Sequence, residues 1–213
     1  MLHIRQFFGQ AVETLGLDSL LTGKTSQTPT YESTVDWITD IHKQQWDSAF
    51  DMPYHFHPIR AAGIYQELCA LKGVEVTDEE VFAVLLHDSK EDGDVEDKDF
   101  RERGYKERTI DMVGALSKPK GVDLPYEQII GAIIDTGDEQ FILGKLADNL
   151  DNISRQMTGR MAVSDPPRAW KLISKYKKSI PMLCEAAGIK LEDAMVIVDP
   201  GHRFEIGAFS FEN

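Results

Sequence analysis

Three short segments of the sequence place histidine and carboxylate side chains inside or at the edge of apolar helical patterns. They are residues 53–58 (PYHFHP), 85–92 (LLHDSKED) and 145–152 (KLADNLDN). Burying several such groups is unfavourable unless they share a compensating charge, and a divalent cation is the usual one. Imidazole nitrogens combined with carboxylate oxygens suit Mn, Fe, Zn or similar ions. The sequence therefore indicates a metal site assembled from separate parts of the chain.

The segment 85–92 also carries groups that could handle a proton. His87 and Asp88 are adjacent at the end of an apolar helical run, and Glu91 and Asp92 follow four residues after each of them. If the helix continues, all four groups crowd one end of it. Glu91 and Asp92 would then stand about one turn from a metal held by His87 and Asp88, close enough to take a proton from activated water. This spacing predicts hydrolysis. Each histidine alone is more often a structural residue, and it is the joint occurrence that favours a site.

The elements that must position these groups are predicted to be mostly helices. Apolar residues recur at helical spacing over 58–71 and over 81–86, where Thr77 and Glu80 form a capping-box pattern before the second run. Further helices are predicted at 109–116, 126–134, 141–157 and 169–187, and a Ser/Thr-rich loop at 25–34. The tail differs, because 195–198 followed by a turn at 199–202 and alternating apolar residues suits a β-hairpin.

In this order and spacing, the motifs resemble those of the HD-domain phosphohydrolases. More narrowly, the chain is similar to the hydrolase domain of RelA/SpoT-type enzymes and their small stand-alone relatives, which remove the 3′-pyrophosphate from (p)ppGpp. The resemblance covers roughly residues 36–183. Its motifs are PYxxHP at 53–58, LLHDxxED at 85–92, LSK at 116–118 and KLADxxxN at 145–152.

The resemblance implies an all-α HD-domain helical bundle over residues 35–190, with an N-terminal extension at 1–34 and a tail at 191–213. It implies that one divalent metal ion, Mn²⁺ in this family, is bound by His57, His87, Asp88 and Asp148. Glu91 and Asp92 match the pair that activates water and assists proton transfer. Asn152 matches an asparagine near the nucleotide sugar, and Tyr176 matches a tyrosine that lines the pocket.

The sequence departs from the family pattern at positions that bear on base recognition. The family often has AHxGQxR before its PY motif, whereas residues 41–47 (IHKQQWD) keep the histidine and one glutamine but not the arginine. Asn149 replaces the usual arginine after the KLAD aspartate, and Asp151 replaces the usual histidine. Trp46 could stack on a base instead, or it could be a core or surface anchor.

The charge of the chain is unevenly distributed. The 23 Lys and Arg against 36 Asp and Glu give a net charge of −13, which argues against a protein that coats nucleic acid. Residues 75–111 carry 14 acidic and 6 basic groups, whereas residues 145–190 carry 9 basic and 4 acidic groups. The basic stretch could hold the phosphates of a small ligand, or it could be a solvated helix face. The preferred phosphate contacts are Lys145, Lys118, Lys120 and Arg60.

The compartment is predicted from cysteine usage and from the apolar runs. Cys69 and Cys184 form no CxxC pair, which favours a reducing compartment. The first eight residues lack the pattern of a signal peptide, and no apolar run approaches the ~18 residues that span a bilayer. The chain is therefore predicted to be cytoplasmic and to bind neither membrane nor nucleic acid. The sequence gives no prediction of oligomeric state.

Three functions remain open at this point. The first is a metal-dependent nucleotide phosphohydrolase most like a (p)ppGpp 3′-pyrophosphohydrolase, in which metal-activated water attacks phosphorus and no covalent intermediate forms. The second keeps the site but takes another nucleotide, such as a nucleoside monophosphate or NADPH. The third is a nucleotide-binding module without turnover, against which the complete set of candidate ligands argues.

Overall fold

The computed structural model describes residues 28–118, 121, 123–158 and 165–199, and for residues 157–158 the backbone only. Within these residues the chain is mostly helical and contains one two-stranded antiparallel sheet, which confirms the all-α prediction. The elements in chain order are α1 (Tyr31–Ile41), β1 (Trp46–Asp47), β2 (Met52–Pro53), α2 (Phe56–Lys72), α3 (Asp78–Leu85), α4 (Ser89–Asp92), α5 (Asp97–Glu102), α6 (Glu107–Leu116), α7 (Tyr126–Asp135), α8 (Glu139–Thr158), α9 (Pro166–Ala187) and α10 (Leu191–Val198).

Local signals explain where several helices begin. Helix α3 begins with the predicted capping box, in which the Glu80 carboxylate accepts a hydrogen bond from the Thr77 N–H at 3.1 Å. Helix α9 begins at Pro166 rather than after the two prolines, because a proline in the first turn has no N–H that an internal carbonyl must satisfy. The side chain of Asp165 caps that turn through the Arg168 N–H.

Helix α8 lies at the centre of the bundle and packs most extensively on α9 and α2. Its apolar residues Leu143, Leu146, Leu150 and Ile153 recur at three- and four-residue steps and are fully buried. The remaining face of α8 carries the polar groups of the KLADxxxN motif. The central helix therefore holds this motif rigidly in the interior.

The structure corrects one expectation about a helix end and settles a second point that the sequence left open. Helix α1 begins at Tyr31, inside the predicted loop at 25–34, because Thr30 and Ser33 form a capping box. The helix thus crosses the predicted boundary at residues 34 and 35. Helix α3 does not continue through the motif at 85–92, since it ends at Leu85 and α4 starts anew at Ser89. The side chain of His87 bonds the Val84 carbonyl, which an unbroken helix would pair with the N–H of Asp88.

The predicted strand at 195–198 is also wrong, because these residues form the second half of α10. Leu191, Ala194, Met195 and Val198 are spaced at helical intervals, and Ala194 and Met195 are buried where α10 packs on α2, α8 and α9. Packing of this helical face outweighs the β-propensity of the run of Val and Ile. The alternating residues of the predicted hairpin beyond position 199 lie outside the described residues. None of the described helices combines the length and the apolar character needed to cross a membrane.

Candidate metal centre and adjoining cleft

Four side-chain atoms from three parts of the chain converge in the interior. His57 lies in the first turn of α2, His87 and Asp88 lie in the turn between α3 and α4, and Asp148 lies in α8. The Nε2 atom of His57 is 3.5 Å from Asp88 Oδ2 and 3.4 Å from Asp148 Oδ1. The Nε2 atom of His87 is 3.2 Å and 3.5 Å from the same two oxygens. We call these four residues the candidate metal centre.

Both imidazoles direct an Nε2 atom toward the carboxylates. The Nδ1 atom of His87 donates a hydrogen bond to the Val84 carbonyl at 2.7 Å, and that of His57 donates to Asp151 Oδ2 at 2.6 Å. In a neutral imidazole a protonated Nδ1 leaves the lone pair on Nε2. Both rings are only 1% exposed, so solvent offers these lone pairs no alternative partner. The Nδ1 side of each ring is therefore fixed by a hydrogen bond, and the Nε2 atom is available to a ligand.

The two carboxylates of the centre are held by neighbours on either side. The hydroxyl of Tyr54 donates to Asp88 Oδ2 at 2.7 Å. The ammonium group of Lys145 lies 2.9 Å from Asp148 Oδ2 and also donates to the Leu116 carbonyl at 2.9 Å. The amide of Asn152 donates to Asp148 Oδ1 at 2.5 Å. Each carboxylate therefore has a fixed orientation.

The charges of the centre shift one another's protonation. Burial by itself would raise the pKa of Asp148, but Lys145 and His87 hold that pKa well below its usual range. Burial by itself would lower the pKa of His87, but the charges of Asp88 and Asp148 raise it well above its usual value. The pKa of His57 is raised in the same way by hydrogen bonds to Asp148 and Asp151, against the effect of burial. Positive charge is thus stabilised strongly between the two carboxylates.

This arrangement fits a divalent cation. His57, His87 and Asp88 bring their ligand atoms within 4.8 Å of one another, and Asp148 contacts both imidazoles. Ligand atoms bonded to one ion at ~2.1 Å are about 3.0–3.5 Å apart, which matches the contacts of the centre. Among the described residues the buried Nε2 atom of His87 forms no hydrogen bond of regular geometry, although Asp88 Oδ2 lies 3.2 Å away, and such an atom in a native interior requires an explanation. A cation would provide one.

Glu91 and Asp92 stand beside the centre on the short helix α4, and both are exposed. Glu91 Oε1 accepts a hydrogen bond from the Lys118 N–H at 2.5 Å, which orients the carboxylate. Partial desolvation and the negative charge of Asp88 raise the pKa of Glu91 and of Asp92. The break in the helix at residues 86–88 therefore still leaves both acids next to the centre.

A cleft of about 240 Å³ lies between α7, α8 and α9 and reaches the centre at Asp148. The ammonium group of Lys175 lies 3.9 Å from the centroid of the Tyr126 ring and 4.8 Å from that of Tyr176. Burial lowers the pKa of Lys175. The cleft is lined by Glu91, Lys118, Leu124, Tyr126, Ile129, Lys145, Asp148, Lys175 and Tyr176.

The structure distributes the predicted substrate contacts among three environments. Lys118 and Tyr176 line the cleft, and Lys145 lines it with its ammonium group bound to Asp148. Asn152 and Arg60 face protein groups instead, Asn152 through Asp148 and Arg60 through two bonds to Asp151. Trp46 lies in β1 and is 59% exposed. Lys120 lies outside the described residues.

Sequence reasoning missed several residues that contact the site. Tyr54 binds Asp88, and Asp151 binds His57. Lys175 lines the cleft. Helical spacing could have indicated that Asp151, which was missed, and Arg60, which was assigned another role, lie beside the candidate ligands. Asp151 follows Asp148 by three residues on α8, and Arg60 follows His57 by three residues on α2, so each pair shares a helix face. The pairing of Asp151 with His57 joins residues 94 positions apart and has no local signal.

Comparison with known proteins finds similarity at the level of structure. No protein-family model matches the sequence, and no curated protein matches it. One similar solved structure is described as a metazoan orthologue of SpoT that hydrolyses ppGpp and plays a role in starvation responses. It superimposes with a TM-score of 0.62 at 19% sequence identity, over 82% of this chain and 95% of that chain. The chain therefore has the helical HD-type fold of the RelA/SpoT-type hydrolases.

Proposed function

We propose that this protein is a metal-dependent nucleotide phosphohydrolase whose reaction is most like the removal of the 3′-pyrophosphate from (p)ppGpp. The observation that carries the proposal is the convergence of two imidazoles and two carboxylates, one of which, Asp148, also lines a lysine-containing cleft. A cation site beside a basic cleft suits a substrate with phosphate at its reacting end. The fold shared with a ppGpp hydrolase supports this choice of substrate.

The residues of the candidate metal centre would bind one divalent cation, with Mn²⁺ as the proposed ion. A bound cation would supply Lewis-acid activation of water and would neutralise charge on the phosphoryl group. Tyr54, Lys145, Asn152 and Asp151 hold the ligand side chains in place. The protein's contribution is thus a set of ligands oriented before the ion and substrate arrive.

Glu91 and Asp92 are the proposed groups for orienting water and accepting its proton. A general base is most effective when its pKa lies near the working pH, and the raised pKa of Glu91 moves in that direction. The Lys118 N–H binds one oxygen of the Glu91 carboxylate, so the other oxygen is available to water. Neither step needs a serine or cysteine nucleophile.

Lys118, Lys175 and Tyr176 are the proposed contacts with substrate phosphate and sugar. Lys175 has no carboxylate within ion-pair distance in the described part of the chain, and its charge is partly desolvated against Tyr126 and Tyr176. An anionic ligand bound to Lys175 would offset the unfavourable free energy of desolvating its charge. Lys145 and Asn152 would contribute by holding Asp148 in place rather than by contacting substrate. Arg60 would contribute by holding Asp151 in place. Trp46, which is exposed on β1, is the proposed stacking surface for a base.

The test is to strip the protein of metal, reload it with Mn²⁺ and incubate it with ppGpp, nucleoside monophosphates and NADPH. Release of pyrophosphate from ppGpp supports the proposal. Release of orthophosphate from monophosphates or NADPH instead would support the proposed metal chemistry but contradict the proposed substrate. Binding of nucleotides without turnover of any of them contradicts the proposal and favours a binding module. Protein kept in chelator is the control.

A further inference from the structure

A closed ring of polar contacts joins two residues of the candidate metal centre, His57 and Asp148, through side chains that lie behind them. Six of the contacts pair a donor or cation with a carboxylate or amide oxygen, and the ring closes where His57 Nε2 lies 3.4 Å from Asp148 Oδ1. The remaining contacts are His57 Nδ1 to Asp151 Oδ2 at 2.6 Å, Arg60 Nε to Asp151 Oδ1 at 2.7 Å, Arg60 Nη2 to Asp47 Oδ2 at 3.3 Å, Arg155 Nε to Asp47 Oδ2 at 3.0 Å, Arg155 Nη1 to Asn152 Oδ1 at 2.9 Å and Asn152 Nδ2 to Asp148 Oδ1 at 2.5 Å. We call this set the Asp47 ring.

Behind the two ligand side chains, the ring pairs opposite charges in a largely buried setting. Two carboxylates, Asp47 and Asp151, face two guanidinium groups, Arg60 and Arg155. The side chains of Asp47 and Asp151 are 1% and 2% exposed and that of Arg155 is 10% exposed, whereas that of Arg60 is 28% exposed. Removing one partner from such a set leaves another charge buried and unpaired, which is strongly unfavourable. The ring is therefore a rigid unit rather than a set of loose surface ion pairs.

Asp47 is the point where the two arms of the ring meet. Its Oδ2 atom receives both guanidinium groups, while its Oδ1 atom accepts a hydrogen bond from the Ala49 N–H at 2.9 Å. The second contact fixes Asp47 to the loop of the short β1–β2 hairpin. One arm runs through Arg60 and Asp151 to the Nδ1 atom of His57. The other runs through Arg155 and Asn152 to the Oδ1 atom of Asp148.

We propose that Asp47 is a positioning residue that orients two candidate metal ligands, His57 and Asp148, at the same time. The inference rests on the proposed metal centre, because only there does the orientation of both side chains matter. The His57 arm fixes the imidazole with its proton on Nδ1, and the Asp148 arm fixes the carboxylate rotamer. Supporting groups of this kind typically change metal affinity about 10–100-fold when they are removed.

The principal test is the substitution Asp47→Asn, which keeps the size of the side chain but removes the charge shared by the two arginines. We expect Mn²⁺ affinity, measured by direct titration, to fall about 10-fold or more. In metal-free protein labelled with ¹⁵N-histidine, at a pH high enough for the imidazole to be neutral, we expect the His57 signals to change from a single Nδ1-protonated tautomer to a mixture of tautomers. The matched control is Asp51→Asn in the same hairpin, because Asp51 is exposed and has φ 59°, a conformation that asparagine tolerates. Mn²⁺ affinity and tautomer should both be unchanged in the control.

Two single-arm variants keep the proposal testable if Asp47→Asn does not fold. Arg60→Met should disturb the His57 tautomer, and Arg155→Met should weaken Mn²⁺ binding while leaving that tautomer intact. Folded variants that all keep the wild-type affinity and the wild-type tautomer would overturn the proposal. Failure of the wild-type protein to bind Mn²⁺ would instead overturn the proposed metal centre. The spectra of metal-free protein still report on the ring in that case, so the two failures are distinguishable.

Discussion

The candidate metal centre and the cleft beside it differ in how their charged groups are paired. In the centre every charged group lies next to an opposite one, as Asp148 does beside Lys145, and the imidazoles are almost completely buried. In the cleft, Lys175 packs against aromatic rings without a carboxylate partner in the described part of the chain. The centre is pre-assembled, whereas the cleft keeps a lysine that has aromatic and hydroxyl contacts but no carboxylate partner among the described residues.

This difference indicates two kinds of ligand. A pre-oriented set of donors favours an ion that stays bound, because little reorganisation accompanies binding. A partly desolvated ammonium group favours an anion that arrives and leaves, since its charge is available until the anion binds. The predictions below separate the two regions, beginning with the change that should have the largest effect.

Asp148→Ala removes a carboxylate of the centre and leaves Lys145 buried without its partner. We expect loss of Mn²⁺ binding and of hydrolysis together, because one ligand and the compensating charge disappear at once. Isothermal titration with Mn²⁺ and a product assay would measure both. Full turnover by this variant would contradict the proposed role of the centre.

Glu91 lies where the two regions meet. Glu91→Gln changes neither the four residues of the candidate metal centre nor the lysines of the cleft. We expect kcat to fall about 100-fold or more, because an amide cannot accept a proton from water. Mn²⁺ affinity and KM should stay within about threefold of wild type. A proportional loss of Mn²⁺ binding would indicate that Glu91 is a ligand rather than a base.

Lys175→Met removes only the charge in the cleft. We expect KM to rise about 10-fold, as for the loss of one charge-assisted hydrogen bond, with Mn²⁺ affinity unchanged. Because burial lowers the pKa of Lys175, the wild-type side chain loses its proton at a lower pH than an exposed lysine. KM should therefore rise with pH from that lower point. Lys175→Arg, which stays charged, should flatten this rise.

Trp46→Ala tests the proposed stacking surface on β1 and should have the smallest effect. If the exposed indole stacks on a base, we expect KM to rise about threefold to tenfold for a purine nucleotide, since stacking contributes about 1–3 kcal/mol when fully formed. Trp46→Phe should retain most of the affinity. Inorganic pyrophosphate, which has no base, should inhibit the wild type and both variants equally well.

Much of the candidate metal centre could be predicted from the sequence, because its residues lie in motifs with short spacing. His87 and Asp88 are adjacent, and Lys145 and Asp148 lie three residues apart on one helix. The helices were also predictable, since their apolar residues recur at regular intervals. The roles of these residues as metal ligands remain a proposal, and so does the choice of Mn²⁺.

The environment of the site could not be predicted in the same way. Arg60 follows His57 on α2 and carries positive charge, which made it a preferred phosphate contact, yet the structure directs it to Asp151 and Asp47. That partner choice depends on how α2, α8 and the hairpin pack together. Residue type alone also suggested a strand at 195–198, where contact with α2, α8 and α9 selects a helix.

Several residues that contact one another in the Asp47 ring are far apart along the chain, and this has a consequence for folding. Arg60 and Asp151, which bond to each other, are 91 positions apart, and His57 and Asp151 are 94 positions apart. Such contacts form only after a large loop has closed, so the candidate metal centre belongs to the later, non-local stage of folding. A cation that binds only the assembled centre would then stabilise the native state selectively. The concentration of metal would influence not only turnover but also the fraction of chains that remain folded.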